Sequence, residues 1–134
     1  MKRSSANHTY LSDETGAATI EAVLWLPFFI FIFGLITDAS LLFNTQSMLT
    51  RVVQDANRAY SIGLLKSEAE TEDYVLARVG AARGEPDTTV ETTYAYGIIR
   101  TKLVVPAGAY MAVGLFDALT GIHLTVTSEQ VMEY

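Results

Sequence analysis

Sixteen consecutive residues, Ala22–Thr37 (AVLWLPFFIFIFGLIT), carry no charge, and the apolar stretch resumes after Asp38 through Phe43. Wound as a helix, residues 17–43 would extend about 40 Å, whereas the hydrocarbon core of a bilayer is about 30 Å thick. This run predicts one transmembrane helix over 17–43. A buried core helix is the competing reading, but the soluble shell needed to cover it asks for more chain than 134 residues supply. A cleavable secretory signal is a second alternative. Its basic region should directly precede the apolar run, yet Lys2 and Arg3 lie far upstream and Asp13, Glu14 and Glu21 intervene. Glu21 and Asp38, about 25 Å apart along a helix, fall near opposite edges of the core, where a carboxylate costs less than at the centre. Pro27 removes one backbone donor and should kink the helix, and Gly34 allows close helix approach.

The flanks are a different material. Residues 44–134 carry 7 basic and 11 acidic side chains, and the whole chain has net charge −6, which gives no electrostatic reason to expect a nucleic-acid partner. With no cysteine there is no disulfide, thiol nucleophile or cysteine-ligated zinc. The only histidines, His8 and His123, make a multi-histidine metal site a poor expectation. Lys2 and Arg3 favour a cytoplasmic N-terminus, with Arg51 and Arg58 on the other side of the span. The domain reading is therefore a leader over 1–16, a membrane helix over 17–43 and an extracytoplasmic domain over 44–134.

Beyond the span, Leu49, Val52, Ala56, Ala59 and Tyr60 recur at helical spacing, so the helix should continue through 44–62 and stop at Gly63. Ser67-Glu68-Ala69-Glu70 is a capping-box pattern opening a second helix, acidic at its start, with Arg78 and Arg83 near its end. Val75, Leu76, Val79 and Ala82 form its apolar face. Gly84-Glu85-Pro86-Asp87 reads as a turn. The period then changes to two. Thr88–Tyr96, Ile98–Val105 and Leu124–Met132 read as strands, with Gly97 at a turn or bulge and Pro106 closing the second run. Tyr110–Leu119 reads as a short helix closed by Gly121. The uncharged stretch Leu103–Phe116 is too short to span a membrane and is expected to be a core crossover rather than a re-entrant segment. The expected fold is α+β: a long N-terminal transmembrane helix continuing outside, a second helix, and a small antiparallel sheet that covers some helix face.

One junction carries a recognisable pattern. Gly16 is followed by Ala17-Ala18-Thr19-Ile20 and then Glu21, and the apolar run begins at once. This arrangement, with a short polar leader before it, resembles the processing site of type IV prepilins and pseudopilins. Over residues 15–63 the chain is similar to the TadE-like family of Tad (Flp) pilus-assembly proteins. The residues that carry the likeness are Gly16 to Ala22, Pro27, Gly34 followed by Asp38, and the helix Asp55-Ala56-Asn57-Arg58-Ala59-Tyr60 ending at Gly63. Position 22 is alanine where that family commonly has an aromatic residue. The terminal Val126–Glu129 strand fits the family's β-rich part more loosely.

The resemblance implies a pilin-like architecture in the inner membrane, cleavage between Gly16 and Ala17 by a prepilin peptidase, and side-by-side packing with other pilin-like subunits. It also implies that Glu21 pairs with the free amine of Ala17 on a neighbouring subunit. A charge costs about 2.5–3.5 kcal/mol at the centre of a span and less near its end, so Glu21 needs a partner there or must snorkel into the headgroups. Asp38 has two readings, a basic group on a partner subunit or interfacial solvation. His123 is expected at the surface or a sheet edge. The leading reading is a minor pilin or pseudopilin, a structural protein whose partners are membrane lipid, pilin-like subunits and the peptidase. The alternative is an uncleaved single-pass scaffold or binding protein of a secretion or envelope machine. Nothing resembles a phosphate loop, nucleophile elbow or catalytic triad, so no enzyme activity, cofactor or small-molecule substrate is expected.

Overall fold

The computed structural model describes residues 14–133. Of the leader read over 1–16, residues 1–13 lie outside the described residues. The chain divides into two compact units, Met1–Phe33 and Gly34–Tyr134.

Helix α1 covers Glu14–Ser61 and continues through Pro27. It is long and apolar enough to cross a membrane. In the first unit its large apolar side chains face outward, with Leu24 73% and Phe33 65% exposed. A core helix of a soluble protein would have buried them. At its far end, the amide of Leu64 donates to Ala59 and that of Gly63 to Tyr60, and Gly63 has φ +76°. Those two bonds are a Schellman motif, in which a left-handed glycine lets the chain satisfy the last free carbonyls.

Helix α2, Glu68–Leu76, starts where the capping box places it: the Glu70 amide donates to Ser67 Oγ at 3.1 Å. The Glu70 carboxylate reaches back to the amide of Lys66 rather than Ser67. The helix is shorter than expected. Arg78 and Arg83 lie beyond it, and the chain passes through a left-handed Gly80 (φ +65°) into a 3-10 turn, Gly80–Ala82. Arg78 still folds back, its guanidinium 3.5 Å over the Tyr74 ring.

Strands β1 (Thr89–Ala95), β2 (Ile98–Pro106) and β3 (His123–Val131) form an antiparallel sheet in that order. Tyr96 and Gly97, both at positive φ, make the β1–β2 turn. The single helix expected over Tyr110–Leu119 is split in two. A 3-10 turn, Ala107–Tyr110, and helix α3, Leu115–Thr120, flank Gly114 at φ +73°. Gly114 supplies the left-handed step that a continuous helix forbids.

The core lies between the C-terminal part of α1, α2 and one face of the sheet. Leu49, Val53 and Ala56 meet Val75, Val79, Ala82, Leu103, Val105 and Val126. Leu103, Val105 and Ala107 are fully buried, so the first part of the uncharged stretch is core, but as the end of β2 and the start of the 3-10 turn rather than as a crossover. The opposite sheet face is polar, with Arg100 and Glu129 in register and paired at 2.7 Å in solvent. The free edge of β1 is covered. The Thr92 amide donates to Glu72 at 2.8 Å and the Tyr94 amide to Glu68 at 2.7 Å. Two carboxylates of α2 thus occupy donors that would otherwise template another strand.

Candidate functional site

The first candidate surface lies on the first unit. Ala18, Glu21, Ala22, Trp25 and Phe29 line one shallow groove along α1. Their spacing of three and four residues puts them on one helical face. Trp25 lies edge-on to Phe28 with ring centroids 5.6 Å apart. Glu21 is therefore an exposed carboxylate on an otherwise apolar stripe. Gly16 lies in the first turn of α1, exposed and with open space around its Cα. The side chain of Ala17 lies outside the described residues.

The second candidate lies where the second compact unit begins. Asp38 is fully buried, and its carboxylate accepts two backbone hydrogen bonds, from Val113 N–H at 3.0 Å and Leu115 N–H at 2.9 Å. This is neither of the arrangements read from sequence: the partners come from a loop of the same chain, 75 and more residues away. One turn earlier on the same helical face, a Cβ on Gly34 would lie 2.8 Å from Leu115 Cδ1. The close approach that Gly34 permits is therefore made by Leu115.

A third polar cluster was missed in the sequence. Asn57 is fully buried and joins α1 to the sheet. Its Nδ2 donates to the Ser128 carbonyl at 2.9 Å, and its Oδ1 accepts from Thr101 Oγ1 at 2.6 Å. Thr101 Oγ1 lies 3.0 Å from Thr92 Oγ1 across the strands. The available signal was an asparagine among Val53, Ala56 and Tyr60 on the apolar face of the helix. Tyr110 likewise donates its hydroxyl to the Val79 carbonyl. Burial pushes that hydroxyl above its ordinary value of 10.0, against the lowering effect of a backbone bond from Ala82. His123 opens β3 at the surface, with Nε2 3.8 Å from Asp87. Among the described residues, no three acidic or histidine side chains come together as a metal site.

An exposed apolar N-terminal helix followed by an α+β unit defines the class: a single-pass membrane protein. Within that class, residues 16–58 match the family described as TadE-like protein. The match opens on Gly16, covers the apolar run and ends one residue past Asn57. No curated protein and no solved structure matches the chain. The TadE-like family is associated with Tad pili and is not a family of enzymes.

Proposed function

We propose that this chain is a minor pilin or pseudopilin of the inner membrane that takes part in assembling a Tad (Flp) pilus. The observation that carries the reading is the TadE-like match over 16–58, which takes in the Gly16–Ala17 junction, Glu21 and the apolar helix as one block. The N-terminus faces the cytoplasm and the α+β domain lies outside. A prepilin peptidase cuts after Gly16. The freed Ala17 ammonium then meets Glu21 of a neighbouring subunit as the N-terminal helices pack side by side. The groove through Ala18, Glu21, Ala22, Trp25 and Phe29 supports this, because small residues beside a carboxylate allow a second helix to come close.

The test has two parts. Mass spectrometry of the membrane-extracted protein, in cells with an active prepilin peptidase, should find a peptide starting at Ala17, and Gly16→Leu should leave the full-length chain. An unprocessed wild-type chain would point instead to the uncleaved scaffold. Glu21→Gln keeps shape and hydrogen bonding but removes charge, so it isolates the ion pair. Membrane levels should stay normal, since losing a charge does not hinder insertion. Cross-linking between N-terminal helices and the number of surface pili should both fall. Equal cross-linking and piliation at matched levels would show that Glu21 only snorkels.

A further inference from the structure

The apolar loop between the Ala107–Tyr110 turn and α3 is not absorbed by the assembly reading. It covers the Gly34–Asp38 face of α1 from the side. Asp38 stands one residue past the end of the charge-free run, so whatever packs on it sits where that run ends. The loop shows its own apolar side to solvent: Val113 is 55% exposed and Ala112 is exposed. On the other side of α1, by helical spacing, Ile36 and Phe43 are 56% and 72% exposed. No charge occurs between Leu103 and Phe116. The next charge, Asp117, would have its carboxylate 2.7 Å from a Cβ at Gly108, so it lies against the backbone there.

In water this arrangement has little to recommend it. Exposed apolar side chains such as Val113 are a cost there. At the edge of a bilayer that cost is removed, and the buried carboxylate is still satisfied. A carboxylate there must be hydrogen-bonded, and two peptide N–H groups supply that without water. Gly114, at φ +73°, gives the turn that lets the amides of Val113 and Leu115 reach one carboxylate.

We propose that the loop over 111–115 is seated in the lipid interface on the domain's side of the membrane, with Val113 in contact with acyl chains and Asp38 as the buried pin that holds it there. The inference rests on the reading that α1 spans the membrane. It places the last ten residues of the span read as 17–43 within the unit that begins at Gly34. Lipid is the occupant because the loop is bonded to Asp38, which lies within the outer end of the span read as 17–43.

The absence of cysteine makes the test direct. The full chain carries one nitroxide label at a time, at Val113→Cys, Phe31→Cys or Thr127→Cys, and is reconstituted at high dilution in phosphatidylcholine–phosphatidylglycerol vesicles. Collision rates with oxygen and with a water-soluble nickel chelate are compared. The Phe31 label should favour oxygen, the Thr127 label nickel, and the Val113 label should follow Phe31. Adding Asp38→Ala should move the Val113 label toward nickel and leave Phe31 unchanged. A Val113 label that matches Thr127 while Phe31 stays in lipid would overturn the seat and leave the spanning helix standing. Protection of Val113 from both reagents would mean protein contact and would also overturn it. A Phe31 label in water would remove both readings together. A Val113 label that stays in lipid in the Asp38→Ala chain would overturn the role given to Asp38.

Discussion

Asn57→Ala should separate α1 from the sheet energetically while leaving the membrane helix untouched. The substitution removes the donor to the Ser128 carbonyl and the acceptor of the Thr101 hydroxyl. Each bond contributes about 0.5–1.5 kcal/mol net, and up to about 3 kcal/mol if the buried partner finds no substitute. Thr101 has one at hand, because its hydroxyl can turn to Thr92 Oγ1 at 3.0 Å. The Ser128 carbonyl loses the side-chain donor outright. The missing amide also leaves a void at a fully buried site, so the sum is about 2–4 kcal/mol. For a domain of about 100 residues this lowers the melting temperature by about 10–25 °C. The assay is thermal and urea unfolding of the full chain in detergent, followed by the β-sheet circular dichroism signal and by pulse proteolysis. A double-mutant cycle with Thr101→Val then tests the coupling. If the two side chains work as one network, the double variant should lose at least ~0.5 kcal/mol less than the sum of the single losses. A melting temperature within 3 °C of wild type (about 0.5 kcal/mol), or strict additivity, would refute the network as the link between helix and sheet.

Further outcomes follow from the same physical reasoning. Gly63→Ala forces a side chain into the left-handed region at φ +76° and should cost about 1–2 kcal/mol in urea unfolding. Tyr110→Phe should lose about 0.5–1.5 kcal/mol at neutral pH by removing the bond to Val79. The raised Tyr110 ionisation also has a sign: folding favours the neutral phenol, so its stabilisation is complete below pH 10.0 and is lost as pH rises through the folded value. Wild type should therefore lose stability more steeply than Tyr110→Phe above about pH 10, read by urea midpoints across pH. Finally, the protein should resist alkaline extraction from membranes, and external protease on spheroplasts should degrade the domain; release at high pH or protection of the domain would remove the topology.

Much of the architecture was legible because it depends on local rules. The sixteen-residue uncharged run demands a low-dielectric surrounding wherever it sits. The stops at Gly63 and Gly121 need left-handed φ values that glycine meets without strain. The cap at Ser67 is written in four residues, and alternation in Thr89–Ala95 and His123–Val131 sets which side faces the helices. The Gly16–Glu21 junction is also local, which is why its family pattern can be read without a fold.

What the sequence left undecided were long-range pairings between groups that look alike in one dimension. The second helix was read too long because the apolar period of Val75, Val79 and Ala82 persists through Gly80, and only the sheet's position shows that a turn can bury the same residues. Asn57 looked like one more polar helix residue until Thr101 and Ser128 closed around it. Asp38 lies inside an apolar stretch, where charge and hydropathy alone leave membrane interface and partner subunit as the options. Its actual partners are backbone amides, which carry no side-chain signature, and they come from a loop more than seventy residues downstream. The chain's pattern of apolar and charged residues determines where the helix and strands run. Only the tertiary structure decides which buried polar group meets which donor, because a hydrogen bond depends on the positions of two atoms in space and not on the residues beside either one.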